Sequence, residues 1–205
     1  MTHKQFFLQI FRKAKKKYSH SSKRLAGDSW SKPWQTLIAT IYSAQSRDET
    51  TIPVMEKTFR SLPTLKSYAS SPLSKIKSLT KKVNYYKTKS KNSKATAKII
   101  LSQFGGKVPD NIEALISLPG VGRKTANLIL TEIHEKDGIC VDTHVHRISN
   151  VLGLVKTKTP HETELALMKI APKKYWSKIN RIFVLWGKEV RGRDKKRLLK
   201  HLEKT

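Results

Sequence analysis

Apolar residues along this chain recur at the spacing of helices, three or four positions apart. Three segments carry such a stripe: Trp34, Leu37, Ile38, Ile41 and Tyr42; then Ala97, Ile100, Leu101 and Phe104; then Ile179, Ile182, Phe183, Trp186 and Val190. A stripe with this period forms one face of an amphipathic helix. Alternating apolar and polar positions are nearly absent, and only 138–141 resembles a short strand. The pattern therefore predicts an all-α fold.

Segment 81–98 interrupts this pattern with many lysines and serines. On its own it is typical of a disordered basic loop. Tyr85 and Tyr86 within it favour a more specific role. The chain of 205 residues, 38% of them hydrophobic, is long enough to bury a core as one domain or two small ones.

The charge balance indicates a polyanionic partner. Lysine and arginine number 42 against 15 aspartates and glutamates, a formal net charge of +27. Such a surface attracts nucleic acid. No apolar run approaches the roughly 20 residues that span a bilayer, and the apolar run 6–11 is too short for a signal peptide. We therefore expect no membrane partner and a cytoplasmic location, associated with the nucleoid, or a nuclear one in a eukaryote.

The most informative stretch is 118–126, Leu-Pro-Gly-Val-Gly-Arg-Lys-Thr-Ala. Apolar residues at helical spacing flank it, which predicts a helix, a tight glycine turn and a second helix. Glycine permits positive φ and close approach to another molecule, and the N–H groups that begin a helix can hold a phosphate oxygen. Lys124, in the first turn of the second helix, is either a phosphate ligand or a nucleophile.

This stretch and the Val-Asp-Thr-His at 141–144 together resemble the helix-hairpin-helix DNA glycosylases, and endonuclease III most closely. The resemblance implies two helical lobes with a cleft between them, which Lys124 and Asp142 would face. One lobe would comprise 24–134, and the other 1–23 with 135–205. Further matching parts are 43–48 (Ser-Ala-Gln-Ser-Arg-Asp), 108–119 and 185–188, so that the resemblance covers roughly 34–191.

By the same resemblance, the chain would be a bifunctional DNA glycosylase and abasic-site lyase of base excision repair, acting on oxidised pyrimidines. Lys124 would attack the sugar C1′, displace the base and form a Schiff base, after which β-elimination nicks the strand. Asp142 would stabilise positive character at C1′. The alternatives are a phosphate-binding role for Lys124 and a helix N-cap for Asp142, and the N-cap is compatible with catalysis.

Other residues are expected to contact a damaged or abasic duplex. Gln45 would fill the gap left by the everted nucleotide or contact the unpaired partner base, and Tyr85 would wedge into the base stack. The alternatives are a polar helix-end residue for Gln45 and simple packing for Tyr85. Asn84 stands where the family has glycine, and we expect it to adopt the left-handed conformation. Ser43 and Asp48 would support the site, although an ion pair is an alternative for Asp48. The predicted DNA contacts are Gly120, Val121, Gly122, Arg123, Thr125, Gln45, Asn84, Tyr85, Tyr86, His144 and Arg147. For His144 and Arg147 a supporting hydrogen bond is the alternative.

The chain departs from the family at its C-terminal end. The family often ends in a four-cysteine iron–sulfur loop, but this chain has one cysteine, Cys140, and Arg191 stands near the position of the first cluster cysteine. We therefore expect no cluster, no metal and no other cofactor, and a buried thiol at Cys140. The basic stretch 191–204 would take over a structural or phosphate-binding role, or form a solvated end helix.

Two other functions remain open at this stage. The first is a monofunctional glycosylase for alkylated purines or for mismatched thymine or uracil, which would release the base and leave the strand intact. The second is a non-catalytic module that uses the glycine turn only to hold phosphate. In each case the partner is duplex DNA, and we expect the protein to act as a monomer.

Overall fold

The computed structural model describes residues 2–203, and its regular structure is entirely helical. This confirms the all-α prediction. The short strand candidate at 138–141 is not a strand: the segment is buried, and no strand is present among residues 2–203 to pair with it. The helices are α1 (His3–Tyr18), α2 (Pro33–Ser43), α3 (Asp48–Ser61), α4 (Leu65–Ser70), α5 (Leu73–Thr80), α6 (Tyr86–Gln103), α7 (Ile112–Ile116), α8 (Arg123–Glu132), α9 (Thr143–Leu152), α10 (Pro160–Ile170), a 3-10 turn (Lys173–Tyr175), α11 (Trp176–Glu189) and α12 (Lys195–Glu203).

The chain divides into two compact units. The hairpin unit is Arg24–Glu135, and the split unit combines the described residues of Met1–Lys23 and Lys136–Thr205. Within residues 2–203 no helix has the length and apolar character needed to cross a membrane.

Helix α2 is the centre of the hairpin unit, with every residue from Trp34 to Tyr42 buried. It packs against α3, α6 and α8. The indole of Trp34 meets the ring of Phe59 edge-on, with centroids 5.2 Å apart. This continuous burial explains why the first apolar stripe was a reliable sign of a helix.

Helix α6 replaces the loop that segment 81–98 suggested on composition alone. Its buried face is largely hydroxyl-bearing: the Tyr42 hydroxyl donates to Ser90 Oγ at 3.0 Å, and Ser93 Oγ lies 2.8 Å from the Tyr68 hydroxyl. Small hydroxyls can be buried here because each finds a partner. The expected apolar stripe is partly wrong, since Leu101 is 36% exposed.

In the split unit, α11 is packed against α1 and α9. The core of the split unit is aromatic. The rings of Phe7 and Phe11 stack with centroids 5.3 Å apart, and the ring of Phe183 meets that of Trp186 edge-on at 5.6 Å. Helix α12 contacts α1 and buries Leu198 and Leu202, which are spaced one turn apart. The basic stretch after α11 therefore contains a docked amphipathic helix.

The side-chain carboxylate of Glu189, at the end of α11, links this helix to α1 and α12. Glu189 accepts hydrogen bonds from Lys23 Nζ at 2.8 Å and the Tyr18 hydroxyl at 2.9 Å, and lies 3.1 Å from His201 Nε2. Burial alone would raise the pKa of Glu189, but the hydrogen bonds from Lys23, Tyr18 and His201 and the charge of Lys23 lower it to about 2.

We expect Glu189→Gln to destabilise the protein at neutral pH by about 1–2 kcal/mol, allowing for solvent screening of a partly exposed group. The folded pKa lies below the ordinary value of 4.5. The stabilisation is therefore present above about pH 4.5 and is lost as the pH falls towards 2. Urea unfolding of wild type and variant across this range should show the difference shrinking in acid. Glu203→Gln, a neutralisation of an exposed glutamate on α12, is the matched control. If the difference in free energy of unfolding did not change with pH, the hydrogen bonds to the Glu189 carboxylate would not be its source.

Candidate active site and DNA interface

A tight turn between α7 and α8 forms the hairpin that the glycines predicted. Val121 N–H donates to Leu118 O at 3.1 Å, and Gly120 has φ +81°. A Cβ at Gly120 would lie 3.0 Å from Asn92 Cβ and 3.3 Å from Ile41 Cγ2. Because both the backbone angle and the close packing require glycine, the turn is anchored firmly on α6 and α2.

The beginning of α8 is open to solvent. Gly122 is its N-cap and provides no side chain to accept from the first-turn amides. Gly122, Arg123 and Lys124 are exposed, whereas Val121 and Thr125 are buried. Of the predicted hairpin contacts, Val121 and Thr125 therefore have only their backbone to offer to DNA. An exposed helix N-terminus with basic side chains is suited to a phosphate group.

We expect the two hairpin glycines to respond differently to alanine. Gly120→Ala should lower the free energy of unfolding by about 1–3 kcal/mol, because it combines left-handed strain with overpacking. At Gly122, φ is −93° and a Cβ would meet no atom within 4 Å. Gly122→Ala should therefore leave unfolding unchanged within about 0.5 kcal/mol and weaken DNA binding by holding the phosphate away.

Denaturant unfolding and fluorescence anisotropy on a labelled duplex would measure the two effects. Equal destabilisation by both substitutions would show that the packing around Gly120 is not what holds the turn. Unchanged DNA affinity in Gly122→Ala would argue against backbone contact at the start of α8.

Asp142 is the N-cap of α9. Its Oδ1 accepts from the N–H groups of His144 and Val145, each at 2.9 Å. The buried segment before it is fastened to α11, where Asn180 Nδ2 donates to Cys140 O at 2.9 Å. The predicted buried thiol at Cys140 is confirmed. These contacts hold the carboxylate in a defined position, and both capping bonds use one of its two oxygens.

His144 and Arg147, predicted as DNA contacts, both lie against the end of α11. A Cβ at Gly187 would lie 2.8 Å from His144 Cγ, so the glycine makes room for the imidazole. The Arg147 guanidinium donates to the carbonyls of Gly187 and Val190, each at 3.1 Å, and to that of Gly192. Desolvation lowers its pKa. Arg147 thus caps α11 and holds the turn that follows, where cations are favoured.

Gln45 and Tyr85 occupy two neighbouring turns of the hairpin unit. Gln45 has φ +53° and Tyr85 has φ +57°, and the side chain of Tyr85 is 67% exposed. The left-handed conformation expected at Asn84 is therefore wrong: it falls on Tyr85, the N-cap of α6. Asn84 instead uses its side chain to donate to Gln45 O at 3.1 Å. Tyr86, the first residue of α6, is half-buried.

Supporting contacts surround the turn that carries Gln45. Ser43 Oγ donates to Thr40 O at 2.9 Å within α2, and Asp48 Oδ1 accepts from Ala26 N–H at 3.1 Å. Beside the turn lies a cavity of about 310 Å³ lined by Ser46, Arg47, Thr50, Lys82 and Asn84.

Sequence analysis missed Lys89, which is buried beneath the same turn. Its ammonium donates to Tyr42 O at 2.8 Å, Ala44 O at 2.5 Å and Ser46 Oγ at 2.9 Å. In a chain with 42 lysines and arginines, no signal in the sequence distinguishes it.

The iron–sulfur cluster of the resembling family does not fit this chain. Cys140, the one cysteine, cannot supply four thiolate ligands. Among residues 2–203 no three His, Cys, Asp or Glu side chains are grouped as a metal site. The region after α11 is held instead by the Arg147 carbonyl contacts and by the buried leucines of α12.

Comparison with known proteins identifies the family. The profile of the HhH-GPD superfamily base excision DNA repair proteins matches residues 38–173. Endonuclease III of Thermotoga maritima is 42% identical over 158 residues, 77% of this chain and 74% of the relative. Endonuclease III homolog 2, chloroplastic, of Arabidopsis thaliana is 40% identical over 75% of this chain and 42% of its own length.

Solved structures agree with the sequence relatives. A trapped covalent intermediate of endonuclease III and DNA matches with a TM-score of 0.84 and 29% identity over 92% of this chain and 88% of that one. The 3-methyladenine DNA glycosylase of H. pylori, with a TM-score of 0.71 and 15% identity, shares the fold. The chain therefore belongs to the HhH-GPD superfamily of base excision DNA repair proteins and, within it, to the endonuclease III family of DNA glycosylases with abasic-site lyase activity.

Proposed function

We propose that this protein removes oxidised pyrimidines from duplex DNA and cleaves the resulting abasic strand, with Lys124 as the nucleophile and Asp142 as the assisting carboxylate. The observation that carries the proposal is the position of Lys124: an exposed amine in the first turn of α8, directly after the glycine turn. The similarity to a covalently trapped endonuclease III–DNA complex supports a nucleophilic mechanism.

The chemistry begins with the neutral amine of Lys124. Its lone pair attacks C1′ of the damaged nucleotide, the glycosidic bond breaks, and the base leaves with the bonding electrons and takes up a proton. The sugar ring opens to a Schiff base, which acidifies the C2′ hydrogen. Loss of that proton expels the 3′ phosphate by β-elimination, and water hydrolyses the imine to return the free lysine.

Asp142 supplies a fixed negative charge to the developing positive character at C1′. The two N–H groups at the start of α9 hold its Oδ1, leaving Oδ2 outside the capping bonds. Capping and catalysis are therefore compatible, because the cap orients the carboxylate before the substrate arrives.

DNA binding in this proposal uses some of the other predicted contacts. The start of α8 with Arg123 holds a backbone phosphate, and Gln45 and Tyr85 enter the duplex where the nucleotide has been everted. The partner is duplex DNA with a damaged base or an abasic site, bound by a monomer on the nucleoid or in the nucleus. Arg147, with its guanidinium already bonded to three carbonyls, contributes by holding the turn after α11.

The proposal is tested by single-turnover reactions on duplexes with thymine glycol, an abasic site or an alkylated purine, with borohydride trapping in parallel. Release of thymine glycol, strand cleavage and a borohydride-trapped adduct are the expected results. Release of base without an adduct would support a monofunctional glycosylase. No reaction on any duplex would support a binding module, and preference for the alkylated purine would overturn the proposed substrate class.

A further inference from the structure

Two exposed turns lie side by side in the hairpin unit, and each holds a residue in an unfavourable conformation. Gln45 follows α2 and Tyr85 precedes α6, with φ of +53° and +57°. Neither residue is glycine, asparagine or aspartate, so each left-handed backbone costs about 1 kcal/mol or more. Such conformations persist only where surrounding contacts fix them.

Lys89 provides those contacts for the Gln45 turn. Its three N–H bonds go to Tyr42 O, Ala44 O and Ser46 Oγ, on both sides of Gln45. The two carbonyls belong to the end of α2, where helix carbonyls lack partners and the dipole favours a cation. The backbone N–H of Lys89 also donates to Tyr85 O at 3.0 Å, so this one residue contacts both turns.

Burying the Lys89 ammonium costs desolvation free energy, which indicates that this side chain does more than fill space. Lys89 is 8% exposed and its acceptors are neutral, and desolvation lowers its pKa to about 8. An apolar side chain of similar length at position 89 would fill the same space without desolvating a charge. It would, however, leave the carbonyls of Tyr42 and Ala44 without a donor, and the turn around Gln45 would relax.

We propose that Lys89 is a positioning residue for nucleotide eversion, whose buried ammonium holds Gln45 beside Tyr85 so that both side chains enter the duplex together. The inference rests on the proposed function, in which these two side chains replace the everted nucleotide. Lys89 acts through Gln45 and does not touch the reacting sugar. Its effect is therefore confined to substrates with an opposite strand.

The test compares Lys89→Met on two abasic substrates, a duplex and the same strand alone, under saturating single-turnover conditions with borohydride trapping. The duplex rate should fall about tenfold to a hundredfold, as expected for a misplaced contact. The single-strand rate should change by less than about threefold. Lys91→Met removes the same charge from an exposed position on α6 and should leave both rates near wild type.

Equal loss on both substrates, or an unchanged duplex rate, would overturn the inference. A double-mutant cycle separates loss of positioning from general misfolding. If Lys89 acts through Gln45, Lys89→Met should lower the duplex rate of the Gln45→Ala variant only slightly further. Fully additive losses would show that Lys89 does not act through Gln45. The single-strand reaction uses Lys124 and does not need Gln45 or Lys89, so absence of a trapped adduct in the wild-type protein would overturn the proposed function instead.

Discussion

Lys124→Gln is expected to abolish both the borohydride-trapped adduct and strand cleavage, with a loss of at least about a thousandfold in the single-turnover rate. Glutamine has similar length and polarity but no amine lone pair, so it forms neither the C1′ bond nor the Schiff base. Because Lys124 is exposed, its replacement should change the free energy of unfolding by no more than about 0.5 kcal/mol.

Arg123→Gln is the matched control for lost charge, since Arg123 is the exposed neighbour in the same turn of α8. That variant should bind DNA more weakly, with a shallower dependence on salt, and still yield the adduct once enzyme is saturating. Trapping bands on denaturing gels provide the measurement. An adduct that persists in Lys124→Gln would assign the nucleophile to another amine.

The second large effect is expected at Asp142. Asp142→Asn should slow base release about a hundredfold to a thousandfold, the range for loss of one electrostatic contact to a transition state. Asparagine is also a good N-cap, so α9 should remain intact and unfolding should change by less than about 1 kcal/mol. Release of thymine glycol by wild type and variant, with thermal melts of each, separates chemistry from folding.

Asp142→Ala and Thr159→Ala complete this comparison. Thr159 is the N-cap of α10, where its Oγ1 accepts from Glu162 N–H at 3.2 Å. Both alanine variants should lose about 1 kcal/mol of stability through the missing cap. Only Asp142→Ala should lose activity. If Asp142→Asn releases base at the wild-type rate, the carboxylate serves α9 as a cap and nothing more.

The helices marked by apolar periodicity and the turn that requires glycine were predictable from sequence. The stripe from Trp34 to Tyr42 marks a helix because all its members are buried, and the turn at Gly120 follows from a backbone angle that few other residues adopt. The signals are local, so no knowledge of neighbouring elements is needed to interpret them.

Features that depend on a distant partner were not predictable. The buried face of α6 runs through Ser90 and Ser93, which are polar in sequence and are buried only because tyrosine hydroxyls meet them. Arg147 was expected to make a phosphate contact or a supporting hydrogen bond from its position on α9, but its acceptors, carbonyls some 40 residues later, could not be named from sequence. Lys89 cannot be distinguished from the other lysines until α2 is placed beside it.

The composition of the split unit sets the order in which the protein can fold during synthesis. Helix α1 is made before the hairpin unit, yet Phe183 of α11, which packs against Phe11, lies beyond that whole unit. At ribosomal rates of roughly 5–20 residues per second, α1 waits on the order of ten seconds for that partner. The hairpin unit, which is continuous in sequence, can close during this interval. The apolar face of α1 then remains available to chaperones until α11 emerges.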